Sequence, residues 1–134
     1  MTLLEQLEIK HPIFLAPMAG VSTPELAAEV SNQGGLGSLG LGASSVEAAR
    51  QQILETQALT HCPFQVNFFC HQTLELDHDT AKQWIQYLAP QFKKYDAVPP
   101  TELKCIYPSF LDHDDYLNLV LETRPKAVSF HFGI

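Results

Sequence analysis

Apolar positions fall into short continuous runs separated by stretches of helical period. Ile13, Phe14 and Leu15 form a run too short for a helix, between Pro12 and Pro17, which predicts a strand buried on both faces. Thr23 then stands at an N-cap position, followed by Pro24 and by Glu25 in the first turn. Leu26, Ala27 and Val30 recur on one helical face, and Gly34 is placed to end that helix in the left-handed conformation. Leu36 to Leu41 reads as a second strand, thinned by glycine so that something can lie close to it. Ser44 and Glu47 have the spacing of a capping box, opening a helix with Val46, Ala49, Ile53 and Leu54 on its apolar face. Cys62-Pro63 ends that connection, and Phe64 to Cys70, rich in aromatic and branched residues, predicts a third strand. Trp84, Ile85, Leu88 and Phe92 mark a further helix, broken at Val98-Pro99-Pro100. Asp112 is expected to cap a last helix carrying Tyr116, Leu117, Val120 and Leu121, and Ala127 to Phe132 is the fourth strand.

Strands separated by helices of about ten residues or more pair in parallel through right-handed crossovers, so the class is α/β. A chain of 134 residues predicts one domain, residues 1–134. With 46% apolar and 17% charged residues it is an ordinary globular composition. The net charge of −7, with no cluster of Lys or Arg, disfavours a nucleic-acid or anionic-membrane partner. Residues 1–10 lack the order of a signal peptide and no apolar run is long enough to span a bilayer, so a cytoplasmic location is expected. Cys62, Cys70 and Cys105 are an odd number without C-x-x-C spacing and read as reduced thiols. His61, Cys62, Cys70, His71 and His78 match no common zinc spacing, and no metal site is expected.

The segment Gly35-Leu36-Gly37-Ser38-Leu39-Gly40 spells the G-x-G-x-x-G of a dinucleotide fold, but in the wrong context. Here a helix precedes the glycines and they lie within a strand. A (β/α)8 barrel suits the chain better, because its ligands bind at the C-terminal ends of the strands. Each predicted strand end carries unusual residues: Ala16 to Gly20, Gly40 to Ala43, Asn67, and Ser129 with His131 and Gly133. Backbone groups at the first, open space at the second and a carboxamide at the third would serve a flat ligand with a polar edge.

The segments HPIFLAPMAG, TPELAAEVSNQGGLGSLGLG, CPFQVNFF and KAVSFHFGI resemble, in order and spacing, successive motifs of the nitronate monooxygenases, formerly 2-nitropropane dioxygenases. The resemblance covers most of the chain apart from residues 71–105. It implies about four βα units forming the N-terminal half of an FMN-binding TIM barrel, and oxidation of an alkyl nitronate by flavin and dioxygen. It also implies that Ala16, Pro17, Met18 and Ala19 lie against the flavin and that Asn67 hydrogen-bonds its polar edge or its phosphate-bearing arm. The family's catalytic histidine belongs to a Gly-Gly-His motif that this sequence lacks, so the catalytic group is expected beyond Ile134 and residues 1–134 alone are expected to be inactive and to self-associate. The chain also resembles the flavin-dependent enoyl-acyl-carrier-protein reductases; Phe130-His131-Phe132-Gly133 favours the nitronate enzymes over them. A third alternative is a non-catalytic half-barrel that associates through its sheet edges.

Individual residues keep two readings. His131 lies on the strand face of Ser129 and Gly133, where it either contacts substrate, as a candidate base, or is a satisfied buried histidine. Met18 sits in a turn and not on an apolar face, which tilts it toward the site. Asn67 in an apolar strand needs hydrogen-bond partners, from ligand or protein. Trp84 and Tyr87, at helical spacing, read as packing.

Overall fold

A computed structural model describes residues 1–73, 75–112 and 114–133. The chain divides into two compact units, Met1–Thr73 with Tyr107–Ile134, and Leu74–Ile106. The first holds a parallel three-stranded sheet of β1 (Gly37–Gly40), β2 (Phe64–Phe69) and β3 (Ala127–His131), in that order, with helices α1 (Leu3–Leu7), α2 (Pro24–Asn32), α3 (Val46–Leu59) and α5 (Asp114–Thr123). The α/β class with parallel pairing is as expected.

The first predicted strand is reduced to a bridge between Phe14 and Leu36, with Leu15 N–H donating to Leu36 O and Leu36 N–H to Ile13 O. Pro12 and Pro17 flank it, and a residue without an N–H cannot extend a ladder. It is also not buried on both faces: Ile13 and Phe14 are exposed at the sheet edge. The other strands fall where predicted, each shorter by one or two residues.

One face of the sheet is apolar and packs on helices. Leu39, Val66 and Phe68 join Ala27, Ala49, Ile53, Tyr116 and Leu119 in the core, with Val128 and Phe130 partly buried against it. The buried face of α2 is Pro24, Ala27, Ala28 and Ser31, so of the predicted Leu26, Ala27 and Val30 only Ala27 enters the core. The reason is at Gly37: a Cβ there would lie 2.0 Å from Ala27 O and 2.6 Å from Ser31 Oγ. A helix that close can present only small residues. Its ends follow the prediction, with Thr23 Oγ1 accepting from Leu26 N–H and Gly34 at φ 88°, where Gly35 N–H reaches Val30 O and Gly34 N–H reaches Ser31 O.

Helix α3 is capped by Ser45, which accepts from Ala48 N–H, so the capping box at Ser44 and Glu47 does not form. Ser44 instead closes a turn onto Leu41 O, and its own carbonyl accepts from the Tyr116 hydroxyl at 2.8 Å. Burial, with Glu47 and Asp112 adding to it, raises the Tyr116 phenol above its ordinary pKa. In α5 the buried positions are Tyr116 and Leu119, while Leu117 and Leu121 are exposed. The residue before Asp114 lies outside the described residues; Asp112, expected as the cap, accepts from Thr73 Oγ1 and Ser109 N–H. Helix α1 was not foreseen, although Thr2 and Glu5 form a capping box around it.

The second unit is built on α4 (His78–Lys94). Asp77 caps it, and the Thr80 hydroxyl, followed by the Thr80 and Asp79 N–H groups, lowers the carboxyl's pKa. Trp84 and Tyr87 stack edge to face on one another, with ring centroids 5.5 Å apart, yet both are exposed and neither serves a core. Among the described residues no helix is long and apolar enough to cross a membrane.

Gly37→Ala forces α2 away from β1 and should cost about 1–3 kcal/mol, as overpacking does. Gly20→Ala, at φ 74° with nothing within 4 Å, should cost only the backbone strain, about 1 kcal/mol. Urea unfolding of the two variants checks the order; an equal or reversed cost would contradict it.

Candidate functional site

The other face of the sheet is polar. Gln65 Nε2 donates to Ser38 Oγ at 2.7 Å, and one step further along the strands Gly40, Asn67 and Ser129 stand in register as neighbours. This row lies at the C-terminal ends of the strands.

At Gly40 the row meets the loop after the first bridge. A Cβ on Gly40 would lie 2.8 Å from Ala19 N and 2.9 Å from Met18 N and C, so the loop backbone rests directly on β1. The expectation that something lies close to these glycines holds, and the neighbour is the protein's own backbone at both Gly37 and Gly40. Ser22 secures the loop: its hydroxyl donates to Met18 O at 2.8 Å and accepts from Met18 N–H at 2.9 Å. Ser22 is buried, whereas Ala16, Met18 and Ala19 are exposed and Pro17 half-buried. Ser22 escaped the sequence reading because a serine just before an N-cap looks like more of the turn.

Asn67, 2% exposed, sits beside this loop. Its Nδ2 donates to Ser129 O at 3.0 Å and to Ser129 Oγ at 2.9 Å, and its Oδ1 lies 3.1 Å from His131 Nδ1. The structure thus brings together Asn67, Ser129 and His131, and places Met18 and Ala19 across Gly40 from them. His131 is exposed, so the reading as a buried histidine does not hold. Among the described residues no buried side-chain N or O atom lacks a partner and no group of His, Cys, Asp or Glu could hold a metal ion.

An aromatic wall borders the row. The Phe69 ring packs against Tyr107 at 5.4 Å and Phe132 at 5.1 Å, and His131 lies 6.3 Å from it. Phe132 holds a left-handed φ of 71°, a strained conformation for a bulky residue. Tyr107 was missed because it lies far from the strand in sequence. Ser109 brings it there by donating to His71 O at 2.6 Å, while Phe110 N–H donates to Phe69 O at 2.7 Å. A cleft of about 310 Å³ lies at the opposite strand ends, near Thr60, Cys62, Phe64 and Lys126, and includes none of the predicted site residues.

A family model described as nitronate monooxygenase matches residues 1–134. The chain is 54% identical over 98% of its length to a nitronate monooxygenase of Paraburkholderia phytofirmans and 51% identical over 95% to one of Pseudomonas aeruginosa, and spans about 36% of either protein. Among solved structures, a nitroalkane oxidase from Streptomyces ansochromogenes superposes with a TM-score of 0.80 at 34% identity, over 98% of this chain and 36% of that one. The M276A mutant of FabK from Thermotoga maritima superposes less well, with a TM-score of 0.53 at 28% identity, over 96% of this chain and 37% of that one.

Ser22→Ala removes both side-chain bonds to Met18 and should cost about 1–2 kcal/mol. Amide exchange at Met18 should accelerate while exchange in β2 does not. Unchanged exchange at Met18 would show that the backbone bonds of the turn suffice.

Proposed function

The chain belongs to the nitronate monooxygenase family, and from that membership we propose that the full-length protein oxidises alkyl nitronates with dioxygen, using FMN. The observation that carries the reading is the polar row at the strand ends, where the Met18–Ala19 backbone, Gly40, Asn67, Ser129 and His131 converge on one face of a parallel sheet. The sheet, whose apolar face packs on α2, α3 and α5, is in this reading the first part of a (β/α)8 barrel whose interior is the polar face.

The residues present fit a flavin. Ala16, Met18 and Ala19, exposed, with the half-buried Pro17, offer mostly small side chains and backbone against which a flat ring can lie, on a loop held by Ser22. Asn67 has spent both amide hydrogens on Ser129, so its contribution to the ring's polar edge passes through Oδ1 or through His131. FMN, when bound, supplies the electron transfer from nitronate to dioxygen. His131 contributes a ring nitrogen for substrate, beside the Phe69 and Phe132 rings. The enoyl-acyl-carrier-protein reductase reading has less support, since the likeness to FabK is the weaker of the two structural likenesses. Cys62 and Cys70, which form no disulfide among the described residues, favour a cytoplasmic location.

The full-length protein should purify with a flavin absorbance spectrum and take up oxygen when given an alkyl nitronate. A colourless protein that binds no added FMN, or a flavoprotein inert toward nitronates, would overturn the reading. Residues 1–134 expressed alone should self-associate through the 13–15 edge, where Ile13 and Phe14 are exposed, and through β3, should hold FMN weakly and should not oxidise nitronates. Light scattering from a monomer, or oxygen uptake by the fragment, would contradict this.

A further inference from the structure

Neither end of the Asn67 carboxamide can be exchanged for the other. Its nitrogen lies 3.0 Å from the Ser129 carbonyl oxygen, an atom that only accepts, so the amide hydrogens must face Ser129. Oδ1 therefore faces His131, with Nδ1 at 3.1 Å. A carbonyl oxygen cannot donate, so the proton in that bond is on Nδ1. In neutral imidazole one nitrogen donates and the other accepts, which leaves Nε2 bare.

We propose that Asn67 is a positioning residue that holds His131 in the Nδ1–H tautomer, so that the ring gains and loses its exchangeable proton only at Nε2. Among the described residues nothing is bonded to Nε2, and the side chain is exposed at the strand end. The Phe69 and Phe132 rings flank it, with centroids 6.3 and 6.0 Å away, and Tyr107 and His71 stand beyond them. The backbone holds the arrangement as well, because Cys70 N–H donates to His131 O at 2.9 Å and Asn67 and Ser129 are register neighbours. The consequence for the reaction rests on the nitronate-oxidising reading. A protonated Nε2 donates a hydrogen bond to an oxygen of the anionic nitronate, and Nδ1 keeps its bond to Asn67 whether Nε2 is charged or bare. The clamp thus aims a single nitrogen at substrate.

The test is a long-range proton–nitrogen correlation spectrum of the full-length protein labelled at histidine nitrogen, at a pH where the ring is neutral, with His131 assigned from His131→Gln. The expected spectrum has the bound proton on Nδ1. Asn67→Leu should move it to Nε2 and lower kcat/KM for an alkyl nitronate about 10- to 100-fold, the range expected for losing a buried hydrogen bond. Asn67→Asp, which keeps an acceptor toward Nδ1 but sets an oxygen against the Ser129 carbonyl, should keep the proton on Nδ1. A wild-type spectrum with the proton on Nε2 overturns the proposal, and so does an unchanged tautomer in Asn67→Leu. Should Asn67→Leu fail to fold, the wild-type spectrum alone decides. The expected tautomer in a protein inert toward nitronates sinks the functional reading and leaves the clamp standing; nitronate oxidation with the proton on Nε2 does the reverse.

Discussion

Backbone lies against backbone on both faces of β1, and the rest of the first unit is arranged around that constraint. On one face Gly37 admits α2 so closely that an added Cβ would lie 2.0 Å from Ala27 O. On the other Gly40 admits Met18 and Ala19. Because α2 sits this low, its buried face is small and the larger core side chains come from β2, α3 and α5, where Val66, Phe68, Ile53 and Leu119 are almost wholly buried. The glycines therefore set a position as well as permitting one.

The two faces of the sheet differ in kind. One is apolar and covered by helices. The other carries Ser38, Gln65, Asn67, Ser129 and His131, and its polar atoms are satisfied in pairs across strands: Ser38 with Gln65, Asn67 with Ser129 and His131. Buried polar groups left unpaired would cost about 1–3 kcal/mol each, so this pairing is what lets a polar face form inside a fold at all. The pairing stops at His131, whose second nitrogen has no partner among the described residues. A site built on strands and a stapled loop holds its groups more tightly than one built on free loops.

Much of this was legible in the sequence, for identifiable reasons. Local signals with a strict geometry read correctly: Thr23-Pro24 as a helix start, Gly34 as its left-handed end, and the parallel order implied by strands alternating with helices. The polar cluster at the strand ends was also legible, because Asn67 in an apolar strand and His131 in phase with Ser129 break the pattern around them. What could not be read was set by contacts distant in sequence. The capping box at Ser44 yielded to Ser45 because Ser44 is held in a turn, with its carbonyl taken by Tyr116 from α5. The α2 face departs from its reading at Leu26 and Val30 because it depends on a glycine in the next strand, and Tyr107 reaches Phe69 through the contacts of Ser109 with His71 and of Phe110 with Phe69.

The central claim is that flavin binds at the C-terminal ends of the strands, against the loop that Gly40 supports. Amide chemical shifts of the isotopically labelled full-length protein, followed as FMN is added, test it most directly. The account predicts shifts at Ala16, Met18, Ala19, Gly40 and Asn67, with Cys62, Phe64 and Lys126 at the opposite strand ends unmoved. Shifts concentrated at those opposite ends, with Met18, Gly40 and Asn67 unchanged, would contradict it.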